Sequence, residues 1–151
     1  MLEAWRIVKA KRVSTAFTGE GAAKTGGRWN SRGVAVVYAS ATRALAALET
    51  LVHLNPLVPF AYKIIRVTFS AELAEHVASK LPSNWRTSPA PDSTRKLGDA
   101  WAREGRSAVL AVPSIIIPDE TNYLFNPAHR DFKKVRIGKA VDFAFDARLV
   151  E

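Results

Sequence analysis

The sequence has 151 residues, 48% of them hydrophobic and 24% charged, so it can bury a core, and disorder over its whole length is excluded. It has no cysteine, which excludes a disulfide scaffold, a zinc–thiolate site and a cysteine nucleophile. The 22 Lys and Arg against 14 Asp and Glu give a net charge of +8, which suits a nucleic acid, an acidic protein or a small anionic substrate without choosing among them.

No run of about 18 apolar residues occurs, so no membrane span is expected. Met1 to Arg6 lacks the charged start and apolar core of a signal peptide, and a soluble cytoplasmic protein is the default expectation. The first strand is expected over Trp5 to Val8. A loop follows from Phe17 to Gly27, carrying Gly19, Gly21, Gly26 and Gly27. It matches neither a Walker A loop nor a dinucleotide-binding GxGxxG. Gly33 to Ala39 reads as a buried strand. Ser40 is the expected N-cap of a helix from about Ala41 to His53, with Leu45, Leu48 and Val52 inward and Glu49 at the border of that face.

Asn55-Pro56 and Pro59 are expected to end that helix. Tyr62 to Phe69 alternates as a strand, and Ala71 to Ala78 reads as a short helix. A proline-rich loop leads to a helix over Ser93 to Glu104, with Leu97, Ala100 and Trp101 inward. Ser107 to Val112 reads as a buried strand, broken at Pro113-Ser114 and resumed at Ile115 to Ile117. Asn126 to His129 reads as a turn, and the tail as two short strands parted at Gly138. With no internal repeat, residues 1–151 are expected to form one α+β domain of mixed, mostly antiparallel sheets with a few helices. Only the region from Val34 to Phe69 resembles a βαβ unit.

Arg28, Tyr38 and Glu49 come from three consecutive local elements. Together they suit an anionic ligand with a flat ring and a cationic reaction centre. Each alone has an ordinary reading: a surface arginine, a core tyrosine with its hydroxyl at the rim, a solvated helix glutamate. Ser114 after a proline is ordinary turn chemistry. The three histidines are scattered and form no metal-ligand pattern.

Several segments together resemble the RES-domain family, the toxins of Res–Xre toxin–antitoxin modules. They are Trp5-Arg6-Ile7, Gly26-Gly27-Arg28-Trp29-Asn30, Val37-Tyr38-Ala39, the helix with Glu49, Val112-Pro113-Ser114, and Asn126-Pro127 with His129. The sequence departs from the family in having Arg130 where a proline often follows the histidine.

The resemblance implies a fold similar to that of ADP-ribosyltransferases, NAD as the substrate, no metal, and toxicity through NAD depletion or ADP-ribosylation of a protein. Its active-site pattern of Arg, Tyr, Glu and Ser falls on Arg28, Tyr38, Glu49 and Ser114. Arg6, Trp29 and Asn126 are further candidates for ligand contact, and Lys24 for a phosphate. In this reading Arg28 holds the pyrophosphate, Tyr38 stacks on nicotinamide, Glu49 stabilises the ribosyl cation and Ser114 keeps the ligand in register. The implied partner is a cognate Xre-type antitoxin. No direct nucleic-acid contact and no membrane are expected, and a homodimer is allowed. The alternatives in other classes are a basic nucleic-acid-binding or RNA-cleaving domain, and an interaction module that holds an acidic antitoxin.

Overall fold

The computed structural model describes residues 1–54, 61–77 and 81–150. The elements in order are β1 (Leu2–Lys9), α1 (Glu20–Thr25), β2 (Val37–Ser40), α2 (Arg43–Leu51), β3 (Tyr62–Phe69), β4 (Ala74–His76), α3 (Asp92–Glu104), β5 (Val109–Pro113), β6 (Thr121–Phe125) and β7 (Arg136–Phe143). Short 3-10 turns lie at Ala10–Thr15, Ala71–Leu73, Arg130–Lys134 and Ala147–Val150. The strands form one seven-stranded sheet in the order β4-β5-β6-β2-β1-β3-β7. All neighbours are antiparallel except β4 and β5, so the α+β expectation holds. Both β2 and β3 run antiparallel to β1, which lies between them. The βαβ reading of this region is therefore a crossover over an intervening strand.

The sheet is strongly curled. Strands three places apart in a flat sheet stand roughly 14 Å apart. Yet the Phe69 ring of β3 lies 5.2 Å from Tyr123 and 5.5 Å from Phe125 of β6, edge to face. The concave side thus closes on itself around Ala4, Val37, Val67, Phe69, Val109 and Phe125. On the other side α3 buries Trp101 against Trp29, Val36, Leu110 and Leu124. The continuous apolar run Val109 to Val112 is explained by burial on both faces.

Several expectations are corrected. The glycine-rich segment is not all loop, because Glu20–Thr25 forms a helix set between Gly19 and Gly26. The second strand is shorter than expected, beginning only at Val37. Residues 71–77 give a 3-10 turn and strand β4 in place of a helix; Ala78, and the helix-ending Asn55, Pro56 and Pro59, lie outside the described residues. In α3, Trp101 is buried as expected, but Thr94, Gly98 and Asp99 are the other buried positions, with Leu97 and Ala100 only half-buried.

Ile115 to Ile117 do not resume a strand. The Ser114 hydroxyl accepts the N–H groups of Ile116 and Ile117, each at 3.1 Å, and its own N–H bonds Glu120 at 3.0 Å. That closes the loop between β5 and β6. Gly138 does not divide the tail either: β7 runs through it as one strand. A Cβ at Gly138 would stand 2.9 Å from the Arg66 carbonyl, where the β3–β7 register shifts between Ile65 and Val67. The glycine leaves room for that bulge. Among the described residues no helix is long and apolar enough to cross a membrane.

Candidate active site

β1 pairs with β3 along all eight of its residues, but with β2 only at Trp5 and Ser40. Away from that point the two strands diverge, and a backbone carbonyl in such a fork loses its ladder partner. Arg6 supplies the substitute. Its Nη1 donates to the Tyr38 carbonyl at 2.8 Å and its Nε to the Ala16 carbonyl at 2.8 Å. The fork opens into a cleft of about 1140 Å³, lined by Arg6, Arg28, Trp29, Tyr38, Glu49 and Asn122, among others.

Arg6 is half-buried, and desolvation lowers its pKa to about 10, so it remains cationic at neutral pH. Its Nη2 has no protein acceptor among the described residues. Arg28 is tied to the 82–91 segment, with Nη1 donating to the carbonyls of Trp85 at 3.0 Å and Thr87 at 2.8 Å. Burial lowers its pKa, and the negative charge of Glu49 opposes that shift. Trp29 is buried, packs with Trp101 of α3, and also lines the cleft.

The segment Gly27 to Asn30 is a tight turn built on Tyr38. The Tyr38 hydroxyl donates to Asn30 Oδ1 at 2.6 Å and accepts the Trp29 N–H at 3.1 Å. Asn30, with no exposed surface, passes the restraint on through Nδ2 to the carbonyls of Ala22 at 2.9 Å and Val34 at 3.1 Å. A Cβ on Gly27 would stand 2.8 Å from the Tyr38 hydroxyl oxygen, so the Gly26-Gly27 pair is the close approach that seats the turn. Burial raises the Tyr38 pKa well above the ordinary phenol value. Tyr38→Phe would leave the Trp29 N–H and one Asn30 lone pair unpaired. The expected cost is about 2 kcal/mol of stability. Denaturant unfolding checks this, and an unchanged midpoint would count against it.

Helix α2 begins at Arg43, and its N-cap is Thr42, whose Oγ1 accepts the Leu45 N–H at 3.0 Å. Ser40, the expected cap, is instead the last residue of β2. The helix is also rotated from its expected setting. Leu45 and Ala46 are buried, whereas Leu48 is 36% and Val52 is 59% exposed. Glu49 lies four residues past Leu45 and three past Ala46, so it continues the inward stripe and faces the cleft. Its Oε2 accepts from Asn122 Nδ2, and Asn122 Oδ1 in turn accepts from Ser40 Oγ at 2.7 Å. Ser40 and Asn122 are direct cross-strand partners.

Five of the eight expected residues, Arg6, Arg28, Trp29, Tyr38 and Glu49, thus share one cleft. Three do not. Ser114 has no exposed surface, does not line the cleft, and spends its hydroxyl on the β5–β6 loop, while its neighbours Pro113 and Ile115 do line the cleft. Asn126 is buried away from the cleft, bonding the Ala102 carbonyl at 3.1 Å and the Ala128 N–H at 3.0 Å. Lys24 is exposed and also outside it. Sequence reasoning missed Asn122, because the strand Thr121–Phe125 went unrecognised, and gave Ser40 the wrong task.

A cleft at a strand fork, holding two arginines, a tyrosine and a tethered carboxylate, has charges and shape that would suit an anionic ligand with a cationic centre. The chain matches the RES domain over residues 3–146 and belongs to that family. It is 44% identical to a Prs ADP-ribosylating toxin from Sphingobium sp. (strain YBL2), with 97% of this chain and 95% of the relative covered. It is 35% identical to a toxin Res from Yersinia enterocolitica, covering 96% and 97% respectively. Its fold is similar to one in the crystal structure of the M. tuberculosis MbcT–MbcA toxin–antitoxin complex. That likeness has a TM-score of 0.78 at 15% identity, over 95% of this chain and 84% of the other. The seven-stranded α+β fold described above is thus one that the family shares with a solved toxin–antitoxin structure.

Proposed function

We propose that this chain is the toxin of a toxin–antitoxin module and consumes NAD by breaking the bond between nicotinamide and ribose. The observation that carries the reading is the convergence of Arg6, Arg28, Tyr38 and the Asn122-held carboxylate of Glu49 in one cleft. When the bond breaks, its electron pair goes to the ring nitrogen, and nicotinamide leaves neutral. The ribose carbon becomes an oxocarbenium-like centre, which a fixed carboxylate stabilises. Glu49 has that task. Arg28, which shares the cleft with Arg6, holds the pyrophosphate through the Arg28 Nε and Nη2, which have no protein acceptor among the described residues. Tyr38 lines the cleft, where its ring would stack on nicotinamide, and its hydroxyl keeps the Arg28 turn in place. An oxygen nucleophile then takes the ribose carbon and gives up its proton.

The name of the 44% identical relative favours a protein acceptor for this chain too, with water or inorganic phosphate as the competing acceptors. The relatives' toxin names and the toxin–antitoxin complex favour an antitoxin as partner; that it is a cognate Xre-type antitoxin, met in the cytoplasm, is part of the proposal. The net charge of +8 would speed encounter with an acidic face of such a partner.

The test is to incubate the purified chain with NAD and follow nicotinamide by chromatography, with water alone, with inorganic phosphate, and with a cell lysate as protein source. Release supports the reading, and the arm that accelerates it names the acceptor. No release in any arm rejects it. The nucleic-acid alternative then makes its own prediction, binding that weakens steeply as salt rises.

A further inference from the structure

We propose that Asn122 is a positioning residue for Glu49, and that Ser40 completes the device. The kinetic part rests on the NAD-cleaving reading above. A glutamate side chain has three rotatable bonds, and a carboxylate at a cleft wall is free to turn unless something holds it. Here one oxygen is held: Oε2 accepts from Asn122 Nδ2. The amide has only one useful orientation. Turned over, its oxygen would face the carboxylate, acceptor against acceptor. In the observed orientation Oδ1 accepts the Ser40 hydroxyl at 2.7 Å, so both ends of the amide are used.

The device sits in rigid surroundings. Ser40 and Asn122 are paired across β2 and β6, and are 3% and 9% exposed. Ser40 is also the residue at which β2 meets β1 before the fork opens. The carboxylate is therefore referenced to the sheet at the apex of the cleft, not merely to its own helix. Holding Oε2 leaves Oε1 for the ribose. A group fixed before the reaction begins acts mainly on the rate of the chemical step, with little effect on ground-state binding.

The experiment measures kcat and KM for nicotinamide release in Asn122→Ala, Asn122→Asp, Ser40→Ala and the Ser40→Ala/Asn122→Ala double variant. Thermal unfolding of each confirms that it is folded. Asn122→Ala is expected to lower kcat about 10- to 100-fold with KM within about twofold, the scale of a misplaced reacting group. Asn122→Asp keeps the shape but replaces the donor with a second carboxylate. It is expected to lose at least as much, which a purely space-filling role would not produce. The double variant is expected to be no slower than Asn122→Ala, because the two residues act as one unit. Near-wild-type kcat in folded Asn122→Ala or Asn122→Asp, or fully multiplicative losses, would overturn the proposal.

A second readout does not need activity: the Asn122 side-chain amide resonance in nitrogen-15 NMR, with and without Glu49→Ala, which removes the acceptor of the tether. It is expected to move on that substitution. If the wild type releases no nicotinamide, the NAD reading fails, and this resonance alone decides whether the Asn122–Glu49 tether stands. An unmoved resonance overturns the tether.

Discussion

Glu49→Gln is expected to lower nicotinamide release about 1000-fold while leaving the chain folded, a loss of about 4 kcal/mol in transition-state stabilisation. The substitution keeps the size of the side chain, and the glutamine carbonyl can still accept from Asn122 Nδ2, so the tether of α2 to β6 survives. On the proposed mechanism, what disappears is the negative charge beside the ribose carbon at the moment positive charge develops there. Because that interaction is made in the transition state, kcat should fall and the KM for NAD should change little. Glu49→Ala is the harsher variant, since it also strips Asn122 of its acceptor. Comparing the two separates charge from tether. A Glu49→Gln protein with more than about a tenth of wild-type kcat would remove Glu49 from the chemistry and with it the proposed mechanism, since deleting one such electrostatic group costs about 100- to 1000-fold.

The parts of the site legible in the sequence are those carried by short continuous segments. Gly26 to Asn30, Val37 to Ala39 and the helix with Glu49 each have a local pattern. The strand Tyr62–Phe69 was legible for the same reason, because alternation is a property of neighbours in the chain. What failed was information held by contacts distant in sequence. The stripe Leu45, Leu48, Val52 is a sound helical face, yet α2 docks through Leu45 and Ala46, since the position of β1 decides which side is covered. Asn122 meets Glu49 across 73 residues of sequence, so nothing local marks either as the other's partner. Ser114 illustrates the opposite case, a residue whose local bonding was legible. A hydroxyl after a proline had a ready local use, bonding the N–H groups two and three residues on, and that use prevailed. Gly138 was read as a break because glycine weakens a strand, while the bulge opposite it makes the missing side chain a requirement.

Gly98→Ala is expected to be the most damaging single methyl that can be added to α3. A Cβ there would stand 1.7 Å from the Trp29 carbonyl oxygen and 2.7 Å from its carbon. Both are backbone atoms, so no rotamer change relieves the clash. Alanine would ordinarily stabilise a helix interior by about 0.5–1 kcal/mol relative to glycine. Here the steric term reverses the sign. The helix cannot simply retreat, because residues on either side of Gly98 grip the same turn. Thr94 Oγ1 donates to the Arg28 carbonyl at 2.7 Å, and Asp99 Oδ1 accepts the Ser31 N–H at 2.8 Å. Withdrawing α3 far enough to admit a methyl would break both bonds and uncover Trp29 and Trp101. The expected cost is about 3 kcal/mol, at the upper end for overpacking, and it should lower the thermal midpoint by about 6–12 °C. Any protein that remains folded should also lose NAD cleavage, because the same turn carries Arg28 and is seated on Tyr38. Thermal unfolding monitored by circular dichroism, with nicotinamide release measured below the transition, reads both effects. A variant as stable as wild type would show that α3 and the Gly27–Asn30 turn do not approach as closely as described. A destabilised but fully active one would show that the turn's position does not govern the site.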